Sequence, residues 1–104
     1  MRQVVNGKVY DTVKADMIAE VEFGLPGDIS YCYEALHVTA KGNYFIFGDG
    51  GPATGYGQYV NDTTRGGGQR ITPVTRKEAL AWCEENRIDA ATIERVFGDL
   101  VEDA

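Results

Sequence analysis

The sequence is poor in cations, cysteine and histidine, and each shortage excludes something. Ten Lys and Arg stand against 16 Asp and Glu, a net charge of −6 with a pI of about 4.6. A chain so acidic repels nucleic acid and anionic membranes as a whole and is suited instead to a basic protein surface. The two cysteines, Cys32 and Cys83, lie far apart and form no CxxC pair, so a reducing, cytoplasmic home is the simplest expectation. The single histidine, His37, has no second ligand at metal-binding spacing, so no metal and no cofactor is expected there. No run reaches the ~18 apolar residues of a membrane-spanning helix. MRQVVNGKVY at the start lacks the apolar stretch of a signal peptide. What the chain does have is 104 residues, 43% hydrophobic and 11% aromatic, enough for one domain spanning 1–104 with a core of its own.

The first two-thirds read as strands and turns, the last third as helices. Val4-Val5, Asn6-Gly7 and Val9-Tyr10 spell a hairpin, because Asn-Gly supplies the positive φ angles of a two-residue turn. Ala19, Val21 and Phe23 alternate in a way that favours a strand, and Ala35–Thr39 with Asn43–Phe47 forms a second hairpin around Gly42. Tyr44-Phe45-Ile46-Phe47 is apolar on both faces, as a covered central strand requires. Residues 48–68 hold eight of the 13 glycines and read as one long loop, with a helical turn near 53–60. Thr75-Arg76-Lys77-Glu78 is a capping box opening a helix to about Asn86, and Asp89 caps a second whose Ile93, Val96, Phe97, Leu100 and Val101 form a buried stripe. The expected fold is α+β: an antiparallel sheet of four to five strands with two C-terminal helices packed against it.

Few constellations carry chemistry. Gly48-Asp49-Gly50-Gly51-Pro52-Ala53 matches the dinucleotide pattern G-x-G-x-x-A, yet no βαβ unit surrounds it, no acid follows about 20 residues on, and Asp49 puts negative charge where phosphate would sit. Asp49, Tyr56, Tyr59 and His37 are the residues a ligand-binding or catalytic reading of this loop would bring into one pocket. No Cys–His pairing is evident in the sequence, so no catalytic residue is assigned and the expectation is a protein that is not an enzyme. Arg65, Arg70, Arg76 and Lys77 make the one basic segment, too sparse and too poor in aromatics for direct nucleic-acid binding.

The acidic C-terminal third is more informative. From residue 78 to 104, eight carboxylates face two arginines, a net of −6. Their placement opposes helix electrostatics, which favour acids at helix starts and cations at helix ends. The first helix begins Arg76-Lys77 and ends Glu84-Glu85; the second ends with Asp99, Glu102 and Asp103. Glu78 and Glu85 share a stripe with Trp82 beside it. The candidate partner-binding set is therefore Glu78, Trp82, Glu84, Glu85, Glu94, Asp99 and Glu102, against the bland alternative of a solvated face with Trp82 folded onto the sheet.

Asn6-Gly7-Lys8-x-Tyr10-Asp11-Thr12, Leu36-x-x-Thr39-x-Lys41-Gly42-Asn43-Tyr44-Phe45, Gly48-x-Gly50-Gly51, Ile71-x-Pro73-x-Thr75 and Glu78-Ala79-x-x-Trp82 resemble a family of small proteins carried by phages, plasmids and integrative elements of gut bacteria. Two positions depart from the pattern: His37 stands where a bulky aromatic is expected, and Asp49 where Glu is usual. The resemblance implies a counter-defence context, of which anti-CRISPR proteins are the best-known class. On that footing the expected partner is a host protein complex with a basic nucleic-acid-binding surface, such as a CRISPR effector, blocked sterically and electrostatically by a nucleic-acid mimic. The alternatives are a small ligand-binding domain or enzyme using the Gly48–Gly68 loop, and a homodimeric accessory subunit; monomer and homodimer both remain open.

Overall fold

A computed structural model describes all 104 residues. Strands β1 (Arg2–Val5) and β2 (Lys8–Asp11) form the first hairpin, with Asn6 and Gly7 at φ 50° and 77° in its turn. The main sheet is four-stranded and antiparallel, in the order β3 (Asp16–Phe23), β4 (Cys32–Val38), β5 (Tyr44–Gly50) and β8 (Gly68–Val74). Between β5 and β8 the two-residue strands β6 (Gln58–Tyr59) and β7 (Arg65–Gly66) pair with each other. Helix α1 (Arg76–Glu85) and helix α2 (Ala90–Phe97) follow, and a 3-10 turn at Gly98–Leu100 ends the regular structure. The architecture is the expected α+β one.

Directly opposed residues share a face of a sheet, so the register sorts the side chains. On one face lie Ala19, Leu36, Ile46 and Thr72, and further along Val21, Glu34, Gly48 and Arg70. The helices cover the first end of this face: Leu36, Ala79, Trp82, Cys83 and Phe97 form the larger core, joined by Ala19, Val21, Tyr44, Ile46 and Val74. On the opposite face the β1–β2 hairpin packs Tyr10 onto Phe45 and Ile71, and the Ile71 amide donates to the Gln3 side chain at 3.2 Å. Strand β5 is thus covered on both faces, as its unbroken apolar run required.

Two expectations about the glycine-rich stretch need correction. It is not one loop from 48 to 68: Gly48–Gly50 complete β5, and a strand begins at Gly68. No helical turn forms near 53–60, where turns lead into β6 instead. Pro73 lies inside β8, where it pairs with Phe45. The hydrophobic signal of β8 is only Ile71 and Val74, too sparse to register as a strand without the neighbour it pairs with.

The helix starts follow the sequence closely. The Thr75 hydroxyl accepts from the Glu78 amide at 3.1 Å, and the Glu78 carboxylate accepts from the Thr75 amide at 2.8 Å. Asp89 accepts from the Thr92 amide at 3.1 Å and opens α2.

Candidate functional site

The charge pattern of the two helices resolves when they are seen together. Arg76, a cation at the start of α1, reaches the end of α2 and grips Asp99 with both arms at 2.5 and 2.6 Å. The same guanidinium donates to the Val96 carbonyl at 2.8 Å and lies 5.5 Å from the centre of the Phe97 ring. Each of these two charges opposes the dipole of its own helix and is compensated by the other. Asp99 is held below the usual carboxylate range by those hydrogen bonds, and Arg76 is raised by the same contact. Glu78 is likewise lowered, chiefly by the Thr75 backbone. Asp99 and Glu78 are therefore engaged within the molecule.

Trp82 is buried, 6% exposed, and not at an exposed edge. Its indole N–H donates to Glu34 Oε1 at 3.0 Å, while Glu34 Oε2 accepts from the Tyr56 hydroxyl. One carboxylate on β4 thus ties helix α1 to the glycine-rich segment along the helix-bearing face. Its two oxygens carry one donor each.

Of the remaining set, Glu94 and Glu102 line one depression. With Asp103 they edge a groove of 440 Å³ between α2 and the C-terminal tail, floored by Ala90, Ile93 and Val101. Glu84 and Glu85 are exposed at the end of α1 and do not line that groove. The candidate carboxylates therefore divide into a groove pair, an α1 pair and two structural members, with no single stripe containing all six.

The loop candidates are not brought together. Tyr56 is buried across Gly48 on the helix-bearing face, with Arg70 4.8 Å above its ring centre. Asp49 points from the opposite face and lines a 320 Å³ depression with Asp28 and Tyr31. Tyr59 is 70% exposed and receives Arg65 at 5.1 Å from its ring centre. His37 is buried under the β1–β2 hairpin, stacked on Phe45 with ring centres 5.0 Å apart. No one depression is lined by two of these four.

The glycines explain themselves without phosphate. A Cβ at Gly48 would lie 1.8 Å from the Tyr56 ring, and one at Gly51 would lie 2.5 Å from the Ile29 carbonyl. Gly48 leaves room for the Tyr56 ring on the sheet, and Gly51 for the backbone of the connection between β3 and β4. Arg65 and Arg70, the basic part of the segment, also bond inward, to the Gly57 and Gly55 carbonyls at 3.1 and 3.4 Å. Burial pushes the Cys83 thiol up to about 11, and burial together with Glu34 and Asp49 raises that of Cys32. Neither cysteine ionises readily at neutral pH.

Glu34, Tyr31 and Tyr33 were not singled out from the sequence. On the face away from the helices, the Tyr33 and Tyr31 hydroxyls donate to Glu20 and Glu22, the latter at 2.8 Å. Burial, then Glu20, pushes the Tyr33 hydroxyl up to about 12. The alternation of Glu20-Val21-Glu22-Phe23 beside Tyr31-Cys32-Tyr33-Glu34 was the available signal. Comparisons with protein-family models, curated proteins and solved structures return no match for the chain. No helix is long and apolar enough to cross a membrane.

Proposed function

We infer that this chain is a non-enzymatic, acidic interaction protein of a mobile genetic element, acting on a host defence complex by covering its basic nucleic-acid-binding surface, as an anti-CRISPR protein covers a CRISPR effector. The supporting observation is the groove at the C-terminal end, where Glu94, Glu102 and Asp103 rim an apolar floor. Acids around an apolar strip suit a partner surface of Lys and Arg with apolar stems or neighbours, and such charge complementarity raises association rate and selects the partner. Glu84 and Glu85, exposed at the end of α1, add negative charge with no cation bonded to either.

The test uses Glu84, Glu85, Glu94 and Glu102 changed together to Lys, leaving Asp99 and Glu78 in place because they hold the helices. The wild-type protein is expected to capture a nucleic-acid-binding complex from host lysate and to lower its DNA or RNA binding, with an effect that weakens as salt rises. The fourfold variant is expected to lose at least about tenfold in capture. Equal capture by both proteins contradicts the electrostatic mechanism.

A further inference from the structure

A second surface, along the edge of the main sheet, has its own chemistry. Strand β3 is the terminal strand of the sheet and pairs only with β4. No backbone hydrogen bond from residues 16–23 goes anywhere else. Alternate N–H and C=O groups along it therefore face outward. The opposite edge differs: on β8 the outward Ile71 amide is taken by Gln3 of the hairpin. Apolar side chains stand exposed along and just beyond the free edge, with Phe23 54%, Leu25 71% and Ile29 67% exposed. The charge is one-sided as well. From Ala15 to Ala40 there are five carboxylates and no Lys or Arg. Glu34 is engaged by Trp82 and Tyr56, which leaves Asp16, Glu20, Glu22 and Asp28 exposed.

We propose that the free edge of β3 accepts an extended basic segment of a partner protein as a fifth strand. The side chains of β3 set its pattern. Glu20 and Glu22 project on the face away from the helices, held by the Tyr33 and Tyr31 hydroxyls, so the added strand carries Lys or Arg there. Ala19, Val21 and Phe23 lie on the helix-bearing face, so its alternate residues are apolar. Main-chain hydrogen bonds supply affinity and the period-two pattern supplies selectivity. A second copy of this chain is the wrong occupant, because antiparallel β3–β3 pairing sets the glutamates of one copy beside those of the other. Acids on an edge, together with the bulge between Met17 and Ala19, also discourage such self-pairing. This surface is separate from the α2 groove, and the proposal stands or falls independently of it.

The test is a titration of the isotope-labelled full chain, read by amide resonances and hydrogen exchange. The probes are an eight-residue peptide of alternating Lys and Val, a block peptide of four Lys followed by four Val, and an alternating Glu–Val peptide. The alternating Lys–Val peptide is expected to slow exchange of the outward amides in 16–23; the other two are not. Glu20→Gln with Glu22→Gln, which keeps acceptors for both tyrosines, should weaken binding by at least about threefold, and Glu20→Lys with Glu22→Lys by at least about tenfold. Asp62→Asn, which removes one charge elsewhere, should leave it unchanged. Equal binding by the block peptide reduces the effect to bulk charge and overturns the proposal. So does an unaltered exchange pattern in 16–23, loss of binding in Asp62→Asn equal to that of the Gln pair, or peptide-independent dimerisation through β3.

Discussion

The two ends of the helix-bearing sheet face are covered by different means. At one end α1 and α2 supply side-chain volume: Phe97, Leu36 and Cys83 are fully buried there. At the other end the cover is a loop that sets the Tyr56 ring over Gly48 and the Thr54 side chain over Gly50, with the tyrosine fixed by Glu34. The first end is stabilised mainly by apolar area and the second by a few directional contacts. An apolar core fails with the whole fold, whereas a loop fixed by a few contacts can open alone.

Truncation at the helix end should be the most damaging change. Phe97→Ala leaves a cavity under both helices and is expected to cost about 3–5 kcal/mol in denaturant unfolding, with every probe losing structure together. At the loop end, Glu34→Ala deprives the Trp82 indole and the Tyr56 hydroxyl of their acceptor and is expected to cost about 1–3 kcal/mol. Trp82 is the only tryptophan, so its emission should shift on this change. Gly48→Ala drives Tyr56 off the sheet by overpacking, for about 1–3 kcal/mol. Amides of residues 51–60 should then exchange faster while those beside Leu36 stay protected. If Gly48→Ala exposes both regions equally, the two ends are one cooperative unit and the contrast is lost.

The smallest effect is a pH dependence from the face under the hairpin. Burial lowers the pKa of His37 below its ordinary 6.5, so the unfolded chain binds the proton more readily than the folded one. Stability is then expected to fall as pH drops through about 6.5 and to level off below the folded value. Glu78, Asp89 and Asp99 have lowered values, so their contribution is lost only at more acid pH, as it falls below the ordinary carboxylate range. Replacing His37 by Gln should flatten the slope of unfolding free energy between pH 7 and 5; an unchanged slope would assign it to another group.

Local grammar made the helices and both hairpins legible. Asn6-Gly7, Gly42, the Thr75–Glu78 box and the Asp89 cap act within a few residues of themselves, so the chain states them directly. Strand β8 and the Glu34 clip were not legible, because each exists only through partners distant in sequence: Glu34 and Trp82 are 48 residues apart. Arg76 and Asp99 teach the same lesson. Each looked misplaced on its own helix, and only the contact between helices explains both.

The stretch without cations has a practical side. Trypsin cuts after Lys and Arg, so cleavage at Lys14 and Lys41 releases β3 and β4 as a single peptide, Ala15–Lys41. Amine-directed crosslinkers find no lysine between those two residues, so only the flanking Lys14 and Lys41 can report to them a complex formed along β3. Carboxyl-directed coupling at Glu20 and Glu22 is the labelling chemistry that reports from within β3 itself.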